Sequence, residues 1–151
     1  MIKMEEINDK KEVILALHED SILQSCKGLC ELEGYNVYVY EGDTSEGILE
    51  LYEYIKPGFL FMDLNFKKYI STVEPAQIVY DGLKKDIENG LVCYLGISGG
   101  TIIGKARDEG IPVMNNVQFI GSLRKILKEK SLQKILDDSK INSDDIRISS
   151  L

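Results

Sequence analysis

The chain has 151 residues and a formal charge of −7, with 25 acidic against 18 basic side chains. A length of this order suits one domain, which buries roughly 68–70% of the surface its unfolded chain exposes. The acidic balance argues against nucleic-acid and membrane partners, which require a basic footprint; the sequence has no run of about 18 apolar residues, and its polar, acidic start MIKMEEINDKKE is unlike a secretory leader, so a cytoplasmic protein is expected.

Residues 1–11 are expected to form a flexible N-terminal segment. Glu12–Leu17 (EVILAL) is a short apolar run with β-branched residues, the pattern of a strand buried on both faces. It stops at the polar cluster His18-Glu19-Asp20-Ser21. From Ser21 the apolar residues Ile22, Leu23, Cys26, Leu29 and Cys30 recur at helical spacing, and Gly34 stands where a C-terminal cap is expected. Asn36–Gly42 predicts a second strand. Residues 44–56 predict a second helix, with Ile48, Leu51, Tyr52 and Ile55 on one face and Thr44 or Ser45 as its cap. Gly58–Asp63 is the third strand. Residues 75–90 form the third helix, with Pro75 near its start and Ile78, Val79, Leu83 and Ile87 at helical spacing. Leu91–Ser98, Ile111–Asn116 and the segments 101–110 and 119–130 supply the last two strands and two helices. The domain therefore spans 12–130, and residues 131–151 are read as a polar tail, partly helical or disordered.

Three cysteines, Cys26, Cys30 and Cys93, lack the spacing of a disulfide framework and read as reduced thiols. Cys26 and Cys30 share a helix face at i, i+4. With His18 as the only histidine and no CxxC pair, they are read as small core residues rather than a metal or redox site.

Five alternating strand-helix units force parallel strands joined by right-handed helical crossovers, hence an α/β, doubly wound five-stranded parallel sheet with helices on both faces. Ligand chemistry in such sheets lies beyond the carboxyl ends of the strands, at the switch point in strand order. That places His18, Glu19 and Asp20 after the first strand, Asp63 at the end of the third, Ser98 at the end of the fourth and Asn115 to Val117 after the fifth. No GxGxxG follows the first strand, so a dinucleotide fingerprint is missing.

Asp63 ends the most apolar strand of the chain, in the stretch KPGFLFMDLN (Lys56–Asn65). This stretch, together with the spacing of EDSILQSCKGLCELEGYNVYVYEGDTSEGILEL, resembles the receiver domain of two-component response regulators over residues 12–128. The resemblance implies a flavodoxin-like sheet of order 2-1-3-4-5. It implies that Asp63 is the phosphoacceptor position, an aspartyl nucleophile of the kind that forms an acyl phosphate, that Asn65 lends its backbone carbonyl to a Mg²⁺ ion, and that Ser98 senses the phosphoryl group.

Other positions depart from the family pattern. An ungapped register puts Leu17 and His18 where the family has its two metal-binding acids; a slip of one or two residues brings in Glu19 and Asp20 instead. Magnesium prefers oxygen donors, so the first register implies weak or no binding. Aligning Gly110 and Phe119 puts Val117 at the position of the family's phosphoryl-contacting lysine and Gln118 at the proline after it. Losing such a charge-stabilising donor costs roughly 3–4 kcal/mol in the transition state. Met114 sits near the family's switch aromatic. After Asn65 the family's tight turn is replaced by a longer loop carrying Lys67 and Lys68, either of which can swing a charge toward Asp63. Gly99 and Gly100 form a plain turn, or a place where backbone amides approach an anion. His18 is read as a locally bonded strand-end residue, or as a proton donor at the rim.

The reading that follows is a stand-alone, atypical receiver-like domain, not an enzyme beyond self-phosphorylation of Asp63. It works in signalling by protein–protein interaction through the face of helix 4, strand 5 and helix 5. Implied partners are a histidine kinase or a downstream effector, and a second copy through the same face. Two alternatives stand beside it. One is a working receiver with Mg²⁺ on Glu19, Asp20, Asp63 and Asn65, switching as other phosphorylated two-state modules do. The other is a flavodoxin-like small-molecule pocket that uses His18 to Ser21, the GISGG stretch with Gly99 and the Asn115-Asn116 pair to hold an anionic or nucleotide ligand.

Overall fold

Strands with apolar residues at successive positions need cover on both faces. The computed structural model, which describes residues 10–64, 72–100 and 102–129, provides it. The chain alternates β1 (Glu12–Ala16), α1 (Asp20–Leu32), β2 (Asn36–Val39), α2 (Ser45–Ile55), β3 (Phe59–Asp63), α3 (Glu74–Glu88), β4 (Cys93–Ser98), α4 (Ile102–Asp108), β5 (Val113–Asn115) and α5 (Asn116–Glu129). All neighbouring strands are parallel, in the order β2-β1-β3-β4-β5. This is the doubly wound sheet that the alternation predicts. No described helix is long and apolar enough to cross a membrane.

Side chains along a strand point alternately to opposite faces, and the core divides accordingly. Val13, Leu15, Phe59, Phe61, Leu95 and Ile97 pack with Cys26 and Cys30 of α1 and with Phe119, Leu123 and Ile126 of α5. Ile14, Leu60, Met62 and Tyr94 face the other way, onto Ile48 and Tyr52 of α2, Val79 and Leu83 of α3 and Ala106 of α4. On the first face the Tyr35, Phe59, Phe61 and Phe119 rings succeed one another with centroids 5.6, 5.7 and 5.0 Å apart. All three cysteines are buried and outside any disulfide, with Cys26 and Cys30 inside the α1 side of this core.

Several boundaries differ from the sequence expectation for local reasons. β2 stops at Val39 rather than Gly42: Tyr40 still donates its main-chain N–H to the Leu15 carbonyl at 2.9 Å, and its hydroxyl holds the turn that follows, donating to the Thr44 carbonyl at 3.1 Å and accepting the Thr44 N–H at 3.2 Å. Thr44 is the cap of α2, accepting the Gly47 N–H at 3.0 Å. Ser45 is instead buried, its hydroxyl donating to the Pro75 carbonyl at 3.0 Å and tying α2 to the start of α3. β5 has only three residues and α5 begins at Asn116, not Phe119, because Asn115 Oδ1 accepts the Gln118 N–H at 2.7 Å and starts the helix early. Ile78 leaves the buried stripe of Ala76, Val79 and Leu83 and stands 38% exposed. Gly34, at φ 87°, closes α1 as expected.

Within the expected N-terminal segment, Lys10 and Lys11 both make contacts with the domain. Lys10 is buried, its Nζ donating to the Leu91 carbonyl at 2.9 Å, and the Lys11 Nζ stands 5.1 Å from the Tyr35 ring centroid. Residues 1–9, the expected tail 131–151, and Asn65, Lys67 and Lys68 lie outside the described residues.

Candidate functional site

From β1 the chain winds outward to β2, and from β3 it winds the other way to β4 and β5. The reversal falls between β1 and β3, so their carboxyl ends border the crevice where this class of sheet binds ligands. Asp63 is the last residue of β3 and stands beside the residues that follow β1, since Ala16 pairs with Met62 one step earlier.

Asp63 is half-buried. Its Oδ2 accepts the backbone N–H of His18 at 2.7 Å; among the described residues no hydrogen bond reaches Oδ1. Burial pushes the carboxyl above its ordinary value. The His18 N–H and the charge on the His18 ring pull it back down, and Glu19 pushes it further up. Beneath it lies Cys26, whose thiol is pushed up to about 12, first by burial, then by Cys30 and by the Asp63 charge. Burial likewise pushes Cys30 up to about 12. Neither thiol is therefore a thiolate at neutral pH.

The other sequence candidates are distributed around this carboxylate unevenly. Leu17 is buried in the α1–α5 side of the core and offers no donor. His18 is exposed and reaches Asp63 through its main chain. Glu19 occupies the position before α1 with an exposed side chain, and its Oε1 accepts the Ser21 hydroxyl at 3.1 Å. Asp20 opens α1 and is exposed. Among the described residues no three His, Cys, Asp or Glu side chains are grouped to hold a metal. A hard, six-coordinate ion wants several oxygen donors at one point; Leu17 there is apolar, and Glu19, close enough to raise Asp63, is bonded to Ser21 and exposed.

On the other side of β3, Asp63 pairs with Ile97, so Ser98 lies one residue beyond it in the neighbouring strand. The Ser98 Oγ accepts the Gly100 N–H at 3.1 Å. Gly99 approaches Asn116, whose Nδ2 stands 2.8 Å from where a Cβ on Gly99 would be. Val117 is not brought to the crevice. With α5 starting at Asn116, residue 117 falls on the solvent side of its first turn and is 85% exposed.

Three contacts around the site were hidden from sequence reasoning. The His18 donor is a main-chain group 45 residues from its acceptor. Leu64, fully buried beside Asp63, occupies the space a side chain on Gly96 would need, so the two residues are in direct contact across β3 and β4. Asn116, not Val117, turns toward the end of β4. A glycine inside an apolar strand, as at Gly96 in CYLGIS, is the one available signal, since it marks close approach by a neighbour.

No protein-family model matches the sequence, and no curated protein matches it. Solved structures do match. A CheY-like response regulator receiver domain protein from Methanospirillum hungatei is 16% identical with a TM-score of 0.56, over 80% of this chain and 96% of that one. A DNA-binding response regulator of the LuxR family from Staphylococcus aureus is 14% identical with a TM-score of 0.58, over 80% and 98%. A de novo designed Rossmann 2x3 protein matches as well, at 16% identity and TM-score 0.56, over 82% and 94%. The chain thus has the flavodoxin-like fold of receiver domains. That a designed sequence matches equally well places the argument about function on the site and not on the fold.

Proposed function

We propose that the chain is a receiver-fold signalling domain that acts by binding another protein through the face of α4, β5 and α5, with Asp63 kept at the phosphoacceptor position but without the metal pair and lysine of a phosphorylation site. The observation that carries this reading is the company Asp63 keeps. One oxygen is held by a main-chain N–H, the nearby charged side chain of Glu19 repels it, and the buried thiol below is neutral. Phosphoryl transfer to a carboxylate depends on positioned positive charge for the equatorial oxygens, and among the described residues that act on the Asp63 charge there is the exposed His18 but no lysine or arginine: Val117 stands at the aligned lysine position and points to solvent.

The resemblance in KPGFLFMDLN and the shared fold support signal transduction as the setting, with a histidine kinase or an effector as the class of partner. The resemblance to receiver domains is what supports that face as the docking surface. The test is backbone NMR of the full chain with beryllofluoride, a phosphoryl mimic, and Mg²⁺. Unchanged resonances for His18, Asp63, Ser98 and Gly99 are expected. Saturable shifts that need both reagents and vanish in Asp63→Asn would mean a working phosphorylation site instead.

A further inference from the structure

Gly99 has no conformational reason to be glycine. Positive φ among the described glycines is confined to Gly34, Gly90 and Gly110, so alanine fits the backbone at 99. What stands in its way is Asn116: a Cβ at Gly99 would lie 2.8 Å from Nδ2 and 3.7 Å from Cγ of that carboxamide. Gly100 differs, since a Cβ there would meet only the Ser98 hydroxyl, at an ordinary 3.8 Å. Of the three residues that turn β5 into α5, Asn115 is spent on capping the helix, Val117 faces solvent, and half-buried Asn116 lies against the turn after β4.

That turn is closed at Gly100 by the Ser98 hydroxyl and has the Asn116 carboxamide packed against it at Gly99. After residue 101 follows α4, a helix of seven residues with Ala106 buried and Ile102 and Ile103 partly buried against the core.

We propose that Asn116 is a positioning residue: its packing on Gly99 latches the turn after β4 to the first turn of α5 and holds the α4–β5–α5 face in one arrangement, whatever the state of Asp63. The inference rests on the reading of that face as the docking surface, and it states what fixes the shape a partner meets.

Hydrogen exchange of the full chain, read by mass spectrometry, tests it. Asn116→Ala and Gly99→Ala should each speed exchange in the peptide spanning 98–108 by about fivefold or more relative to β1. The double variant should be no faster than either single one, because Asn116→Ala removes the contact that the methyl group of Gly99→Ala displaces. Gly100→Ala and Asp63→Asn should leave that peptide unchanged. The latch is overturned if Asn116→Ala leaves 98–108 unchanged, if the two effects add, or if β1 speeds up to the same degree, which would mark a general loss of stability. A response of 98–108 to Asp63→Asn would overturn the independence from Asp63. A phosphoryl adduct on Asp63 would sink the docking-module reading separately, without altering the exchange result for Asn116→Ala.

Discussion

The main-chain N–H of His18 donates to Asp63 Oδ2 at 2.7 Å, joining the end of β1 to the end of β3 at the point where the winding of the sheet reverses. The bond fixes one carboxylate oxygen in a half-buried place, and burial there outweighs it, so the acid is weaker than an ordinary aspartate.

From that direction follows a pH dependence. A carboxyl raised above its ordinary 3.8 binds protons more tightly in the folded than in the unfolded chain, so its contribution to stability falls as pH rises from about 3.8 through the raised value. Asparagine at 63 keeps an acceptor for the His18 N–H and carries no charge to desolvate. Asp63→Asn should therefore melt above wild type at pH 7, with the difference vanishing below about pH 4. Thermal unfolding across that range checks it, and a variant less stable at pH 7 would contradict it.

A second prediction concerns the contact that shapes the residue after Asp63. Leu64 fills the space over Gly96. Gly96→Ala should cost about 1–3 kcal/mol by overpacking, and Leu64→Ala about 2–5 kcal/mol by leaving a cavity. Because the new methyl group enters the space that the leucine vacates, the double variant should lose clearly less than the sum. Urea unfolding of the four proteins measures the coupling.

Gly47 offers a sign test. Alanine in a helix is favoured over glycine by about 1 kcal/mol, yet a Cβ at Gly47 would run into the Tyr40 ring and hydroxyl, which bond Thr44. Gly47→Ala should destabilise the wild-type chain by about 1 kcal/mol and stabilise the Tyr40→Ala chain. The same sign in both backgrounds would refute the clamp.

These contacts mark what was legible in the sequence. The ten elements could be read because buried stripes such as Cys26 with Cys30, or Val79 with Leu83, repeat at helical spacing between apolar strands. Asp63 could be found because it breaks an apolar run. The limits came where one atom's position decides: Asn115 caps α5 and pulls its start back by three residues, which carries Val117 out to solvent. Gly99 read as a turn residue or anion cradle and does stand in the turn after β4, but its approach to Asn116 was not legible, since no local pattern ties residues 99 and 116 together.

A fourth prediction concerns magnesium. A ligand present at a hundred times its Kd stabilises a folded chain by about 2.7 kcal/mol. Among the described residues no three His, Cys, Asp or Glu side chains are grouped to hold a metal. Millimolar Mg²⁺ should leave the melting temperature unchanged beyond the effect of matched ionic strength. A specific rise abolished by Asp63→Asn would establish a metal site.

The central claim, that Asp63 stands at a phosphoacceptor position without the machinery to accept, is tested most directly by intact-mass spectrometry of the folded chain after incubation with acetyl phosphate and Mg²⁺, beside Asp63→Asn. The account predicts no phosphoryl adduct on either protein. A Mg²⁺-dependent adduct on the wild type that is missing from Asp63→Asn would contradict it.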